Sequence, residues 1–274
     1  AVAQARFSLL HLSHTDMNVS ILDSKSKELK LNKFYWIVAL VAALFVGVSN
    51  PTNAQCKKSS STCNLTTLRN AFTTNGYQEL GCGADSCSIY FVDPTLRTST
   101  VAQNLANSLG ANLTSILDQA ANDSIVVWLN GLGYTGSARI GFSDASSEGK
   151  FVWADGQDTT YKNLLSGNPN GGTAQNCVAL QLNGSDSGLW VDTTCSALMR
   201  SVIKVSLCMS ISVSDTSLCQ SDSLNLVPII TSGSPSYTFS WSPASTDSIN
   251  KVSPSSSTTY SLTVTDRYGC SSTD

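Results

Sequence analysis

The nine cysteines constrain this chain more than any other feature. They stand at positions 56, 63, 82, 87, 177, 195, 208, 219 and 270, all behind one apolar run. No pair has C-x-x-C spacing, which removes zinc-ribbon and thioredoxin-like readings. Cysteines this numerous behind an export-like segment read as disulfides. The odd count leaves at least one thiol unpaired or bonded outside the chain.

The apolar run is FYWIVALVAALFVGV (34–48), fifteen residues without a charge. Lys25, Lys27, Lys30 and Lys33 precede it, and the small, polar SNPTNAQ follows. A basic start, a short apolar middle and a small-residue exit describe a secretory signal peptide over 17–54, cut after Ala54. A bilayer span wants about twenty residues, so no span is expected in the mature chain. A retained anchor or a lipid on Cys56 are the alternatives. Residues 1–16 precede Met17 and read as a non-native upstream extension.

Charged residues make up only 13% of the chain, about half the usual share. From residue 55 onward, eleven basic residues face sixteen acidic ones, and no basic patch remains. Nucleic acid is therefore not an expected partner. Both histidines, His11 and His14, lie before the apolar run. The rest of the chain lacks the usual general base, triad member and zinc ligand. A carboxylate-pair glycosidase would need two opposed acids. Asp144 and Glu148 are only four residues apart in one turn, so no enzyme is expected.

Residues 55–79 form a cysteine-bearing lead-in, with Leu65, Leu68 and Phe72 at helical spacing. SIYFVD (88–93) alternates like a strand. STVAQNLANSLG (99–110) predicts a helix closed by Gly110. A second helix fits 119–130, capped by Asp118. After 138 the period shortens: RIGFSD, KFVWADG, CVALQL and SVIKVSL read as strands. Helices followed by short strands indicate an α+β domain. Residues 157–176 form a long loop with little periodicity, a length usually reserved for function or disorder.

Over 80–208 these landmarks resemble a C-type lectin-like domain. The resemblance rests on AQNLANSLGANLTSI, IGFSD, EGKFVWADG, Asn168-Pro169-Asn170, Cys177-Val178-Ala179-Leu180 and Trp190-Val191-Asp192 before Cys195. It implies the C-type lectin fold and a ligand site at the long loop, often for sugars and often through calcium. The implied loop ligands are Asn168, Asn170, Gln175 and Asp192. The set is depleted: Asn168 stands where an acid or glutamine is expected, Gln175 where an acid is expected, and Val191 replaces an asparagine. Calcium favours six to eight oxygens and carboxylates, so weak binding or none is implied here. Asp144, Glu148 and Asn176 match an auxiliary calcium site, although turn-capping by the two acids is the simpler role. Trp153 and Trp190 read as core. The resemblance also implies Cys177–Cys195 and Cys82–Cys87 bridges. Arg139 stands where the family usually has tryptophan.

Residues 209–274 are rich in Ser and Thr. SDTSLCQSDSLNL, YTFSWSP and TYSLTVTDRYGC resemble an immunoglobulin-like (polycystic-kidney-disease-type) repeat of bacterial surface proteins. That implies a β-sandwich with a Cys219–Cys270 bridge, and a natural protein that continues past residue 274. The expectation is a secreted or cell-surface adhesion protein that binds a glycan or a surface protein. The alternative is an adhesive spacer, or a protein-binding module, with no sugar or calcium site.

Overall fold

The lead-in helix forms as α1, Leu65–Thr74. Asn64 caps it, its Oδ1 accepting the Thr67 N–H at 3.0 Å. Leu68 and Phe72 are fully buried. The structure, a computed structural model, describes residues 63–219, 222–243 and 245–274. The upstream extension, the signal peptide and Cys56 lie outside the described residues.

Strands β1 (Gln78–Cys82) and β2 (Ser88–Arg97) form an antiparallel hairpin. The first of these carries no strand signal in the sequence. Gln78, Glu79 and Gly81 lack β-branched alternation, and pairing to β2 makes the strand. Helix α2 (Ser99–Ser108), strand β3 (Asn112–Leu113) and helix α3 (Gln119–Gly131) follow. Asp118 caps α3, its Oδ1 accepting the Ala121 N–H at 2.7 Å. Then come β4 (Ser137–Ser143), β5 (Val152–Trp153), β6 (Cys177–Gln181), β7 (Trp190–Thr193) and β8 (Met199–Ser206).

One sheet unites these strands in the order β1-β2-β8-β4-β6-β7, with β3 on β8 and β5 on β4. The late strand β8 thus lies between β2 and β4. Only its pairing with β4 is parallel. Gly141 in β4 is dictated by sterics: a Cβ there would sit 2.5 Å from the Leu113 carbonyl oxygen.

Strand alternation divides the interior into two cores. Tyr90, Val92 and Val202 face a core shared with Ile125 and Leu129 of α3, Trp153, Leu180 and Trp190. Ile89, Phe91, Ile203 and Val205 face the other, where α1, Ala102 and Ala106 of α2, Tyr268 and Cys270 pack. The second core joins the lead-in and the C-terminal segment to the central sheet.

The C-terminal segment has seven short strands among the described residues: β9 (Ser210–Ser212), β10 (Leu224–Leu226), β11 (Ile229–Ser232), β12 (Thr238–Ser242), β13 (Asn250–Val252), β14 (Ser261–Thr265) and β15 (Ser271–Thr273). They make the small sheets β9–β11, β10–β13 and β12–β14–β15. Trp241, Leu262 and Val264 anchor their shared core.

Two implied bridges are corrected. Cys87 bonds Cys208, not Cys82. The β2–β8 register pairs Ser88 with Ser206, which brings the flanking cysteines to a Cα separation of 4.9 Å. Cys82 is disulfide-bonded elsewhere. Cys270 bonds Cys63, not Cys219. The Asn64 N–H donates to the Tyr268 carbonyl at 2.7 Å, holding the two segments side by side. Cys219 is a free, exposed thiol. Cys177 and Cys195 are bonded to each other.

Candidate functional site

The long loop is held mainly by strand β7. Trp190 is fully buried. Its N–H donates to the Asn163 carbonyl at 2.8 Å, and its own carbonyl accepts the Leu165 N–H at 2.8 Å. Its Nε1 donates to Asn122 Oδ1 at 2.8 Å. Asn122 and Asn163 then both donate to the Gly188 carbonyl, at 3.0 and 2.8 Å. A buried amide network therefore ties α3, the loop and β7 together. Sequence reading missed Asn122 and Asn163. Asn122 did leave a signal, an amide on the helix face that also carries Ile125 and Leu129.

Tyr161 packs its ring edge-on to Trp190 at 5.5 Å, and its hydroxyl donates to Gln119 Oε1 at 3.0 Å. Burial, helped by Asp123 and Asp118, pushes that hydroxyl up to about 12.

Farther along, Asp192 is buried, and its Oδ2 accepts the N–H groups of Asn170 at 2.8 Å and Gly171 at 2.7 Å. The Asn168–Pro169 peptide is cis. Asn170 is exposed, while Asn168 and Gln175 are half-buried. The Gln175 side chain packs on Gly171. A second cluster lies beside the loop's end. The Asp144 N–H donates to the Asn176 carbonyl at 3.3 Å. Asp144 Oδ2 accepts the Gly149 N–H at 2.9 Å, so this acid does cap its turn. Exposed Glu148 reaches toward Gly172, at the 3-10 turn Gly172–Ala174.

Arg139 is fully buried. Its Nη2 donates to the Ala197 carbonyl at 2.8 Å, and its Nε and Nη1 have no partner among the described residues. Burial lowers the guanidinium to about 10, which leaves it charged at neutral pH.

Residues 95–203 match the family model described as Lectin C-type domain. The chain carries a C-type lectin domain. Among curated relatives, the lectin segment is 32% identical over 99 residues to the low affinity immunoglobulin epsilon Fc receptor of Mus musculus, covering 36% of this chain and 28% of that protein. It is 32% identical over 94 residues to the mannose-binding protein of Gallus gallus, covering 34% of each chain. To tetranectin of Bos taurus it is 30% identical over 113 residues, covering 40% of this chain and 54% of that one. The matched stretch thus spans about a quarter to a half of these relatives. Among solved structures, it is similar to the cow C-type carbohydrate-recognition domain of CD23, with 27% identity, a TM-score of 0.38, and coverage of 43% of this chain and 88% of that one. A calcium-independent type II antifreeze protein matches at 21% identity and a TM-score of 0.39, covering 43% of this chain and 86% of that one. C-type lectin family members are non-enzymatic binding proteins. Among the described residues, no helix is long and apolar enough to cross a membrane.

Calcium can be tested against the donors present. Among the described residues, no three His, Cys, Asp or Glu side chains converge. At the loop, the donors are the amides Asn168, Asn170 and Gln175 and the single carboxylate of Asp192. One oxygen of that carboxylate already holds two backbone N–H groups. The loop set does not fit a calcium ion. The auxiliary set fits better: Asp144 Oδ1 and Asn176 Oδ1 are buried acceptors without a donor, as is Asp192 Oδ1 at the loop, but only in the auxiliary set would a second carboxylate, Glu148, join them. Buried acceptors of this kind are satisfied by a cation or by water.

Proposed function

We propose that this chain is an extracellular recognition protein whose lectin domain binds a neutral glycan through the amide groups of its long loop, without a calcium ion at the loop. The observation that carries this reading is the Asp192 carboxylate. It supports the loop backbone directly at Asn170 and Gly171, so the loop needs no metal to hold its shape. Amide side chains both donate and accept, which matches the hydroxyl groups of a sugar. Asn168, Asn170 and Gln175 are the proposed contacts, with Asn176 and Asp192 supporting them. Calcium, where the protein responds to it, acts at Asp144, Glu148 and Asn176. The three described disulfides support a secreted or cell-surface location.

The test uses the full chain, because the Cys63–Cys270 bridge ties the lead-in to the C-terminal segment. Binding to immobilised neutral glycans is measured in calcium and in chelator, with thermal midpoints alongside. The expected result is binding that survives chelator and falls about tenfold or more in Asn170→Ala and Gln175→Ala, a loss on the scale of a charge-free hydrogen bond left unmade. A midpoint rise with calcium should vanish in Asp144→Asn. Sugar binding that disappears in chelator would overturn the metal-free loop. No binding to any glycan would leave the spacer or protein-binding reading.

A further inference from the structure

The lectin domain has a second concavity, built without the long loop. It has a volume of about 110 Å³ and lies among α3, the turn between β1 and β2, and Lys204 of β8. Trp128 and Tyr90 line it, their ring centroids 5.8 Å apart and tilted by 44°. The indole sits directly on Gly81, where a Cβ would come within 2.7 Å of Cε2 and Cζ2. Only glycine lets the ring approach β1 this closely. Tyr90 is 5% exposed. Burial raises its hydroxyl well above the usual range, and Asp85, Asp118 and Asp155 raise it further.

Asp85 and Asp118 line the recess, and both are exposed. Asp85 Oδ1 accepts the Cys87 N–H at 2.9 Å, and Asp118 Oδ1 caps α3. Lys204 is the cation of the lining. Its Nζ donates to Ser115 Oγ at 3.0 Å and lies 3.9 Å from Asp155 Oδ2, so Asp155 matches its charge. Asp85 and Asp118 are left as the uncompensated charges.

We propose that this recess is a second ligand site, for the ammonium head of a small organic cation. Aromatic faces attract cations through the ring quadrupole, and the two carboxylates supply the long-range attraction. A bare metal ion suits the recess poorly, because it wants a shell of oxygens and half of this lining is aromatic or aliphatic. The volume admits an ammonium head of a few heavy atoms, such as a methylated amine or the end of a lysine side chain.

The test is a titration of the full chain with tetramethylammonium chloride, matched in ionic strength with sodium chloride. The readout is the Trp128 indole N–H resonance, identified by its loss in Trp128→Phe. The neutral control is tert-butanol, which is similar in size. The expected result is saturable movement at roughly millimolar ligand, with no response to the alcohol. Asp85→Asn and Asp118→Asn should each weaken binding about threefold or more. Both variants keep the hydrogen-bonding oxygen, and asparagine caps helices as well as aspartate, so the fold is spared. Lys204→Met should tighten binding. An equal response to cation and alcohol, no response at roughly 100 mM, or no weakening in either Asn variant would overturn the proposal. Glycan binding at the loop is unaffected by any of these outcomes.

Discussion

The long loop and the joint to the C-terminal segment are held by different means. At the loop, the backbone rests on a buried carboxylate and an amide network, and the Cys177–Cys195 bridge spans only 18 residues. At the joint, the bridges span 121 and 207 residues. The end of α2 is also capped from outside its own sequence. Its last carbonyls lack intrahelical donors, as at every helix end. Here Arg267 Nη1 donates to the Ser108 carbonyl at 2.6 Å, Tyr268 Oη to Leu109 at 2.6 Å, and Ser234 Oγ to Gly110 at 2.8 Å. The C-terminal segment therefore supplies hydrogen bonds, core side chains and a covalent tie to the lectin domain. It is a structural partner of that domain. Regions held by long-range covalent links resist opening, whereas regions held by a few polar contacts can open locally.

The largest test of this contrast removes the bridges. In the chain-entropy account, losing the 207-residue link costs about 5 kcal/mol and losing the 18-residue link about 3 kcal/mol. Urea denaturation of Cys63→Ser/Cys270→Ser against Cys177→Ser/Cys195→Ser should show that order. The reverse order would mean that the loop, not the joint, holds the domain together.

A smaller effect sharpens the loop side. Asp192→Ala removes a charged acceptor from two N–H groups and should cost about 2 kcal/mol. Amide exchange should report this at Asn170 and Gly171, with protection falling about tenfold or more there and changing little at Leu109 and Gly110. Added calcium should not restore it. Uniform loss of protection across the sheet would show the loop to be part of the global unit.

The smallest effect is alkaline. Burial raises Tyr77 and Tyr268 at the joint and pushes Tyr161 at the loop up to about 12. Above pH 10 the unfolded chain releases these phenolic protons while the folded chain keeps them. The unfolded state then binds fewer protons, so stability, intact below 10, falls as pH rises from there toward 12. Arg139 acts in the opposite direction over the same range, but it is one group against several. Tyr268→Phe should flatten the decline in a urea series at rising pH, at a cost of about 1 kcal/mol for the lost bond to Leu109. An unchanged slope would show that the joint tyrosine titrates freely.

Much of the local structure was legible in the residues themselves. The apolar spacing of Leu65, Leu68 and Phe72 marks α1, and Asp118 marks the start of α3. SIYFVD announces β2, and the tryptophans 153 and 190 are core as their context suggests. The candidate loop residues were legible as a group, because the motif pieces fall in order. Their roles were not. Nothing local states that Asp192 would turn one oxygen to the backbone of residues twenty positions away, or that Arg139 would be buried with two idle N–H groups.

Sequence alone marked most of the helices, the central strands and the long loop, because periodicity, caps and turn residues act over a few neighbours, whereas β1 became a strand only by pairing with β2. It also determined that disulfides would hold the chain. Which cysteines meet was decided only by the tertiary structure. Cys87 finds Cys208 because β8 inserts beside β2 in one register, and Cys270 finds Cys63 because α1 and Tyr268 share a core. Strand order and shared burial join residues far apart along the chain, and no local pattern encodes such a pairing.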